Sequence, residues 1–183
     1  MKALKIIVIV LLALVAAAFI AMNVLKSQTK KHSPEVHVNK TVDGAEIGLF
    51  YSSPFKKDRE IFGALVPYNA VWRTGANEAT TFSTTKDLMI EGKLLIAGEY
   101  SLWTIPTEGA WTFILNSEIP DWGANFDQTA KHDPTYDVLR VDVAPEIATE
   151  VKESLEISIN EEPTSLCIAW DLVRVNVEFE VKQ

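Results

Sequence analysis

Residues 166–181 read LCIAWDLVRVNVEFEV, and their alternation decides the fold class. Leu166, Ile168, Trp170 and Leu172 form one apolar set at a spacing of two. Val175, Val177, Phe179 and Val181 form another, facing away from Asn176, Glu178 and Glu180. A period of two gives a strand one face for a core and one for water. The same period recurs upstream: Leu155, Ile157 and Ile159 alternate with Glu156 and Ser158, and Leu139, Val141 and Val143 with Arg140 and Asp142. Near the start of this region Val36, Val38 and Val42 alternate with His37, Asn39 and Thr41, and Asp43-Gly44 marks a tight hairpin turn into Ile47, Leu49 and Tyr51. Between these, Glu91-Gly92 separates LMI from KLLI, Gly98-Glu99 precedes YSLWTI, and Glu108-Gly109 precedes AWTFIL. Short strands at regular spacing with glycine turns predict an all-β, antiparallel sandwich, with a jelly roll as one variant, of about nine strands. The only helical candidates in this region are Glu60 to Val66 and Glu146 to Glu153.

A different pattern opens the chain. Residues 6–22, IIVIVLLALVAAAFIAM, are apolar without a break, and Val24 and Leu25 extend them past Asn23. As a helix, residues 6–25 would span about 30 Å, the thickness of a bilayer's hydrocarbon core. Two readings fit: an uncleaved signal anchor, or a secretion signal cut near Ala16-Ala17-Ala18. No cysteine ends the run, so a lipoprotein anchor is excluded. Lysines flank both sides, Lys2 and Lys5 before and Lys26, Lys30 and Lys31 after, so charge bias does not set orientation. Export of the carboxyl side is inferred from the signal-like character alone. The expected organisation is a signal anchor and basic stalk over residues 1–33, followed by a β domain over 34–183. The expected location is a single-pass cytoplasmic-membrane protein with an exported domain, or a secreted protein after cleavage.

Composition follows this division. The 183 residues carry 17 basic and 25 acidic side chains, a formal charge of −8. Five of the cations flank the apolar run and no acid precedes Glu35, so the remaining body holds 12 cations against 25 acids, or −13. A body this acidic is expected to bind neither nucleic acid nor an anionic lipid surface. The single cysteine, Cys167, rules out an internal disulfide framework and any multi-cysteine metal site.

Two segments resist the strand pattern: residues 54–80, PFKKDREIFGALVPYNAVWRTGANEAT, and residues 116–137, NSEIPDWGANFDQTAKHDPTYD. Connections of this length in a compact domain are functional or specially braced. The stretch IFGALVPYNAVWRTGANEAT, with YSLWTIP at 100–106 and Trp122-Gly123, resembles the bacterial family known as domain of unknown function 2911, over roughly Val36 to Val181. The resemblance implies a bacterial envelope protein with a predominantly β domain, and it brings no activity, substrate or catalytic residue with it.

The candidate ligand site therefore comes from the residues themselves. In VWRTGANEAT, Gly75 can supply a positive φ that turns the chain and brings Arg73 and Glu78 to one side, beside Trp72 and Asn77. A guanidinium next to an indole can recognise a carboxylate, a sugar or a peptide end. The competing reading is an internal Arg73–Glu78 pair that braces the loop. Trp111 and Trp170 share faces with core residues, whereas Trp103, out of phase with Tyr100 and Leu102, and Trp122, in the second long loop, are candidates for an exposed stacking platform. No catalytic residue, metal site or cofactor is assigned. His132 and Asp133, with Asp127 and Asp137, lack a ligand spacing and read as a solvated acidic loop. Ser101 and Cys167 lie within strands, and neither a nucleophile elbow nor a phosphate loop is present. The leading expectation is a non-catalytic module binding a small ligand, glycan or envelope protein. The alternatives are an envelope hydrolase with a carboxylate base and a structural scaffold.

Overall fold

The computed structural model describes residues 2–182, with ten strands and one long helix. It divides into two compact units, Met1–His32 and Ser33–Gln183.

The first unit is a single helix, α1, Lys2–His32. Its side chains from Leu4 to Met22 are exposed, and by length and composition it can cross a membrane. The helix continues through the polar KSQTKKH segment rather than stopping at its start, and ends with Lys30, Lys31 and His32 in the last turn, where cations complement the carbonyl end of the helix dipole.

The second unit is an antiparallel β-sandwich, as the alternation predicts. One sheet has six strands in the order β1-β2-β3-β6-β7-β8: β1 Glu35–Val42, β2 Ala45–Ser52, β3 Thr80–Thr84, β6 Gly98–Ile105, β7 Trp111–Asn116 and β8 Asp137–Val143. The other has the order β5-β4-β10-β9: β4 Leu88–Ile90, β5 Lys93–Leu95, β9 Glu146–Glu161 and β10 Thr164–Val181. A jelly roll would interleave the sheets repeatedly; here the large sheet runs in sequence apart from the β4–β5 excursion. The hairpin turns fall at the expected dipeptides. Asp43 and Gly44 take φ of 47° and 73°, and Glu91 and Gly92 take 46° and 74°, the left-handed pairs of two-residue hairpins.

Two sequence expectations fail for tertiary reasons. Glu146–Glu153 is the start of β9, because Glu146, Ile147 and Lys152 pair with β10, and Ile147 and Val151 lie exposed instead of packing as a helix face. Glu60–Val66 is a wide turn around Gly63, φ 94°, with Val66 N–H donating to Ile61 O at 2.8 Å. A third expectation fails locally. Leu172 does not share the buried face of Leu166, Ile168 and Trp170, because the pairing of β10 with β9 shifts on both sides of Asp171, φ 55°. The extra residues of these irregularities lie on β9, and the left-handed backbone of Asp171 breaks the alternation of β10, so Val175, Val177 and Phe179 point inward while Leu172 is left outside.

Between the sheets lies one core, and the 54–80 connection contributes to it. Ile61, Phe62, Val66 and Trp72 from this connection are all buried. Phe62 meets Trp111 edge-on at 4.8 Å, and Trp72 stacks on Trp170 at 6.1 Å with 17° between the rings. The start of this connection and the residue before it close the free edge of β9: Leu155 N–H donates to Pro54 O at 3.0 Å, and Ser53 Oγ to Leu155 O at 2.7 Å. A long loop thus acts as a structural layer, which is why it needs no secondary structure of its own.

A smaller cluster of Ala79, Trp103 and Ile114 lies apart from this core, with Val71, Ile105 and Ala130 against it. Trp103 does alternate out of phase with Tyr100 and Leu102. The second long connection and the end of the first cover that opposite face, leaving Trp103 only 1% exposed. It cannot serve as an exposed platform.

Candidate functional site

The loop from Trp72 to Thr80 is pinned at its entrance by a short antiparallel bridge. Trp72 N–H donates to Thr104 O at 2.7 Å and Thr104 N–H to Trp72 O at 3.0 Å. Beyond the bridge the chain turns through Thr74, φ 50°, and Asn77, φ 59°. Gly75 is not among the positive-φ residues. Its requirement is space, because a Cβ there would stand 3.0 Å from Thr80 Oγ1 and 3.1 Å from Ser52 O. Asparagine tolerates the left-handed region, whereas threonine there is strained and needs holding. Thr74 is held: it is fully buried, its Oγ1 bonds to Trp72 O and Thr104 Oγ1, and its carbonyl accepts from Thr80 Oγ1 at 2.9 Å. Trp72 Nε1 donates to Gly75 O at 3.2 Å and Ala76 N–H to Ser52 O at 3.2 Å.

These bonds perform the bracing that the competing reading assigned to an Arg73–Glu78 pair. Glu78 Oε2 accepts from Ser52 Oγ at 3.3 Å, which ties it to the end of β2. Arg73 titrates below the usual guanidinium range because of burial alone, with no carboxylate offsetting the effect. Its Nε is buried without a hydrogen-bond partner, and so is Nδ2 of Asn77, a residue only 7% exposed. A buried donor without an acceptor costs about 1–3 kcal/mol, so two in one five-residue loop need an explanation.

Both residues meet the second long connection at Gly123. Gly123 N–H donates to Asn77 O at 2.9 Å. Its missing side chain is filled by Arg73: a Cβ would fall 2.6 Å from Arg73 Cδ and 2.9 Å from Arg73 Cβ. Lys131 N–H donates to Gly123 O at 3.1 Å and closes residues 123–131 into a flap whose tip, Phe126, is fully exposed. Trp122 is half-buried next to Gly123. Of the six residues singled out from sequence, Trp72, Arg73, Asn77 and Glu78 share one loop. Trp122 borders it through Gly123, and Trp103 lies under it as packing. Sequence reasoning passed over Gly123 as a contact residue, although its pairing with Trp122 in a long loop marks it as a point of close approach.

A second polar cluster sits at the base of the flap connection. Asp137 Oδ1 lies 2.7 Å from His132 Nε2 and accepts from Asn116 Nδ2 at 2.9 Å, while Oδ2 accepts from Arg140 at 3.0 Å. The His132 ring packs on Trp103 at 5.5 Å. His132 and Asp137 are buried side chains of a clamp, 5% and 8% exposed, and not members of a solvated loop. Among the described residues, no three histidine, cysteine or acidic side chains converge as metal ligands would. The carboxylates with displaced titration, Asp127, Asp133 and Glu161, all move downward, chiefly through hydrogen bonds from Thr129, Thr135 and Lys40. Burial pushes the Cys167 thiol up, which disfavours the thiolate.

Residues 33–179, nearly the whole β unit, match the family model described as "Protein of unknown function (DUF2911)". No curated protein and no solved structure matches the chain.

Proposed function

The chain belongs to the DUF2911 family, and we propose that it is a non-catalytic ligand-binding module of the bacterial cell envelope, with its site in the loop from Trp72 to Glu78. The observation that carries this reading is the pair of buried, acceptor-less donors, Arg73 Nε and Asn77 Nδ2, in a loop whose bracing is done by other groups. A polar group that is costly to bury and contributes no internal bond is accounted for when a ligand supplies the missing acceptor. The apolar helix α1 supports residence at a membrane, with the acidic β unit exported beyond it.

The test is a thermal-shift screen of the purified full chain against small carboxylates, monosaccharides and short peptides, run in parallel on Arg73→Ala and Asn77→Ala. The expected result is at least one compound that stabilises the wild type and neither variant. If no compound shifts the wild type, and both variants are several kcal/mol less stable, the loop is a brace only.

A further inference from the structure

We infer that the ligand of this site is a small carboxylate, held by the guanidinium of Arg73 and the side-chain amide of Asn77 where both residues meet Gly123. The inference rests on the ligand-binding reading above and names the chemistry of its ligand.

Three observations carry it. The groups without partners are donors, Arg73 Nε and Asn77 Nδ2, so the missing group is an acceptor. One of these donors belongs to a permanently charged side chain that is partly withdrawn from water with no compensating carboxylate, so the acceptor is anionic. The setting then restricts the anion. The body around the site carries 12 cations against 25 acids, and the loop itself contains Glu78, so a multiply charged phosphate or polyanion meets repulsion that a monoanion largely escapes. A carboxylate matches the planar fork of an arginine and can accept from an amide at the same time. Asn77 is 7% exposed, and its backbone carbonyl is already engaged by Gly123 N–H, so its side-chain amide is presented from a fixed position. Arg73 is half-buried, but its Nε and the Asn77 amide nitrogen are sealed, so the carboxylate reaches them when the 123–131 flap lifts from the Arg73 stem.

Carboxylates of this kind come from two sources, free organic acids and peptide carboxyl termini, and the experiment separates them. The full chain in detergent is titrated by calorimetry with N-acetylglycine, with trialanine, and with the primary amide of each. The expected result is binding of at least one acid, with its amide weaker by about tenfold, the difference between a charge-assisted and a neutral pair of hydrogen bonds. A preference for trialanine over N-acetylglycine assigns a peptide terminus, and the reverse a free acid. Arg73→Met keeps the stem that packs under Gly123 and removes the charge. It is expected to fold with undiminished stability and to lose acid binding. Asn77→Asp keeps a residue type that tolerates the left-handed backbone and places a negative charge beside the incoming carboxylate, so it too is expected to lose the acid. Equal binding of acids and amides, abolished by Asn77→Ala, would overturn the carboxylate assignment and leave the ligand-binding reading standing. No binding of any of the four probes by a folded wild type overturns the assignment, and the wider screen above then decides the ligand-binding reading. Acid binding that survives in a folded Arg73→Met places the carboxylate elsewhere and overturns it equally.

Discussion

Replacing Gly123 by alanine tests the contact on which the site is built. The added Cβ would stand 2.6 Å from Arg73 Cδ, 2.9 Å from Arg73 Cβ and 3.3 Å from Arg73 Cγ, where carbon atoms prefer about 3.5–4.0 Å. Two of these atoms belong to the near end of the side chain, so a simple rotamer change at the tip of Arg73 does not relieve the overlap. Either the arginine stem is displaced or the flap lifts, and lifting breaks the bonds from Gly123 N–H to Asn77 O and from Lys131 N–H to Gly123 O. Each bond contributes about 1 kcal/mol net, and overpacking alone costs about 1–3 kcal/mol. The loss of glycine's freedom in the unfolded chain returns about 0.4–1 kcal/mol. The expected net destabilisation is about 1–2.5 kcal/mol, measured from the urea midpoint at unchanged slope. In an Arg73→Ala background the Cδ and Cγ contacts disappear while the Cβ contact stays, so the penalty falls, with a coupling energy of about 1 kcal/mol. Amide exchange at Gly123 and Lys131 rises in the single variant and recovers partly in the double. A neutral Gly123→Ala, or a penalty unchanged by Arg73→Ala, would show that the flap does not rest on the arginine stem.

Three other outcomes follow from the packing and titration of the domain. Trp72→Ala removes an indole stacked on Trp170 and edge-on to Phe62 and Trp111, and is expected to cost about 3–5 kcal/mol by denaturant unfolding; a loss under 1 kcal/mol contradicts its place in the core. Chymotrypsin is expected to cut the native domain first after Phe126, the fully exposed tip of the flap, read as a single nick by mass spectrometry; first cleavage within 60–72 contradicts the anchoring of that connection. Burial raises the Cys167 thiol and the Tyr51 phenol above their ordinary values, so the folded state holds these protons more tightly than the unfolded chain does. Their contribution to stability is fully present below the ordinary values and is lost as pH rises through the raised ones. The urea midpoint should therefore fall at alkaline pH, by less in Tyr51→Phe, and native Cys167 should react with iodoacetamide far more slowly than in the unfolded chain.

The fold was legible wherever one face of a strand was wet. Strands β1, β2, β8 and β10 alternate plainly, and the turns at Asp43-Gly44 and Glu91-Gly92 announce their own geometry. The change of phase between Trp170 and Val175 is also written in the residues, since the buried set moves from even to odd numbers, and the left-handed backbone at Asp171 is its physical cause. What could not be read depended on partners distant in sequence. Nothing local says that residues 146–153 find a strand in β10, or that the opposite face of β6 is roofed by loops and buries Trp103. The site was half legible. Arginine, asparagine and tryptophan around a glycine marked the loop, but that reading left Arg73 between a ligand and Glu78 and did not foresee its packing against Gly123. Gly75 is needed for close approach to Ser52 and Thr80 and not for a positive φ, and the flap that meets Arg73 lies 50 residues away.

The 54–80 connection buries Phe62 and Trp72 among Trp111 and Trp170, while the 123–131 flap stands on a few backbone bonds and an exposed tip. The two sides of the site therefore have unequal stiffness. The side bearing Arg73 and Asn77 opens only when the sandwich itself comes apart, whereas the side bearing Gly123 can yield on its own. On the binding reading proposed above, a ligand would exchange at the pace of the flap and not at that of the core. Changes of length or sequence at 124–130 would then alter its residence time with little effect on the fold, whereas changes at 61–72 would disturb the core.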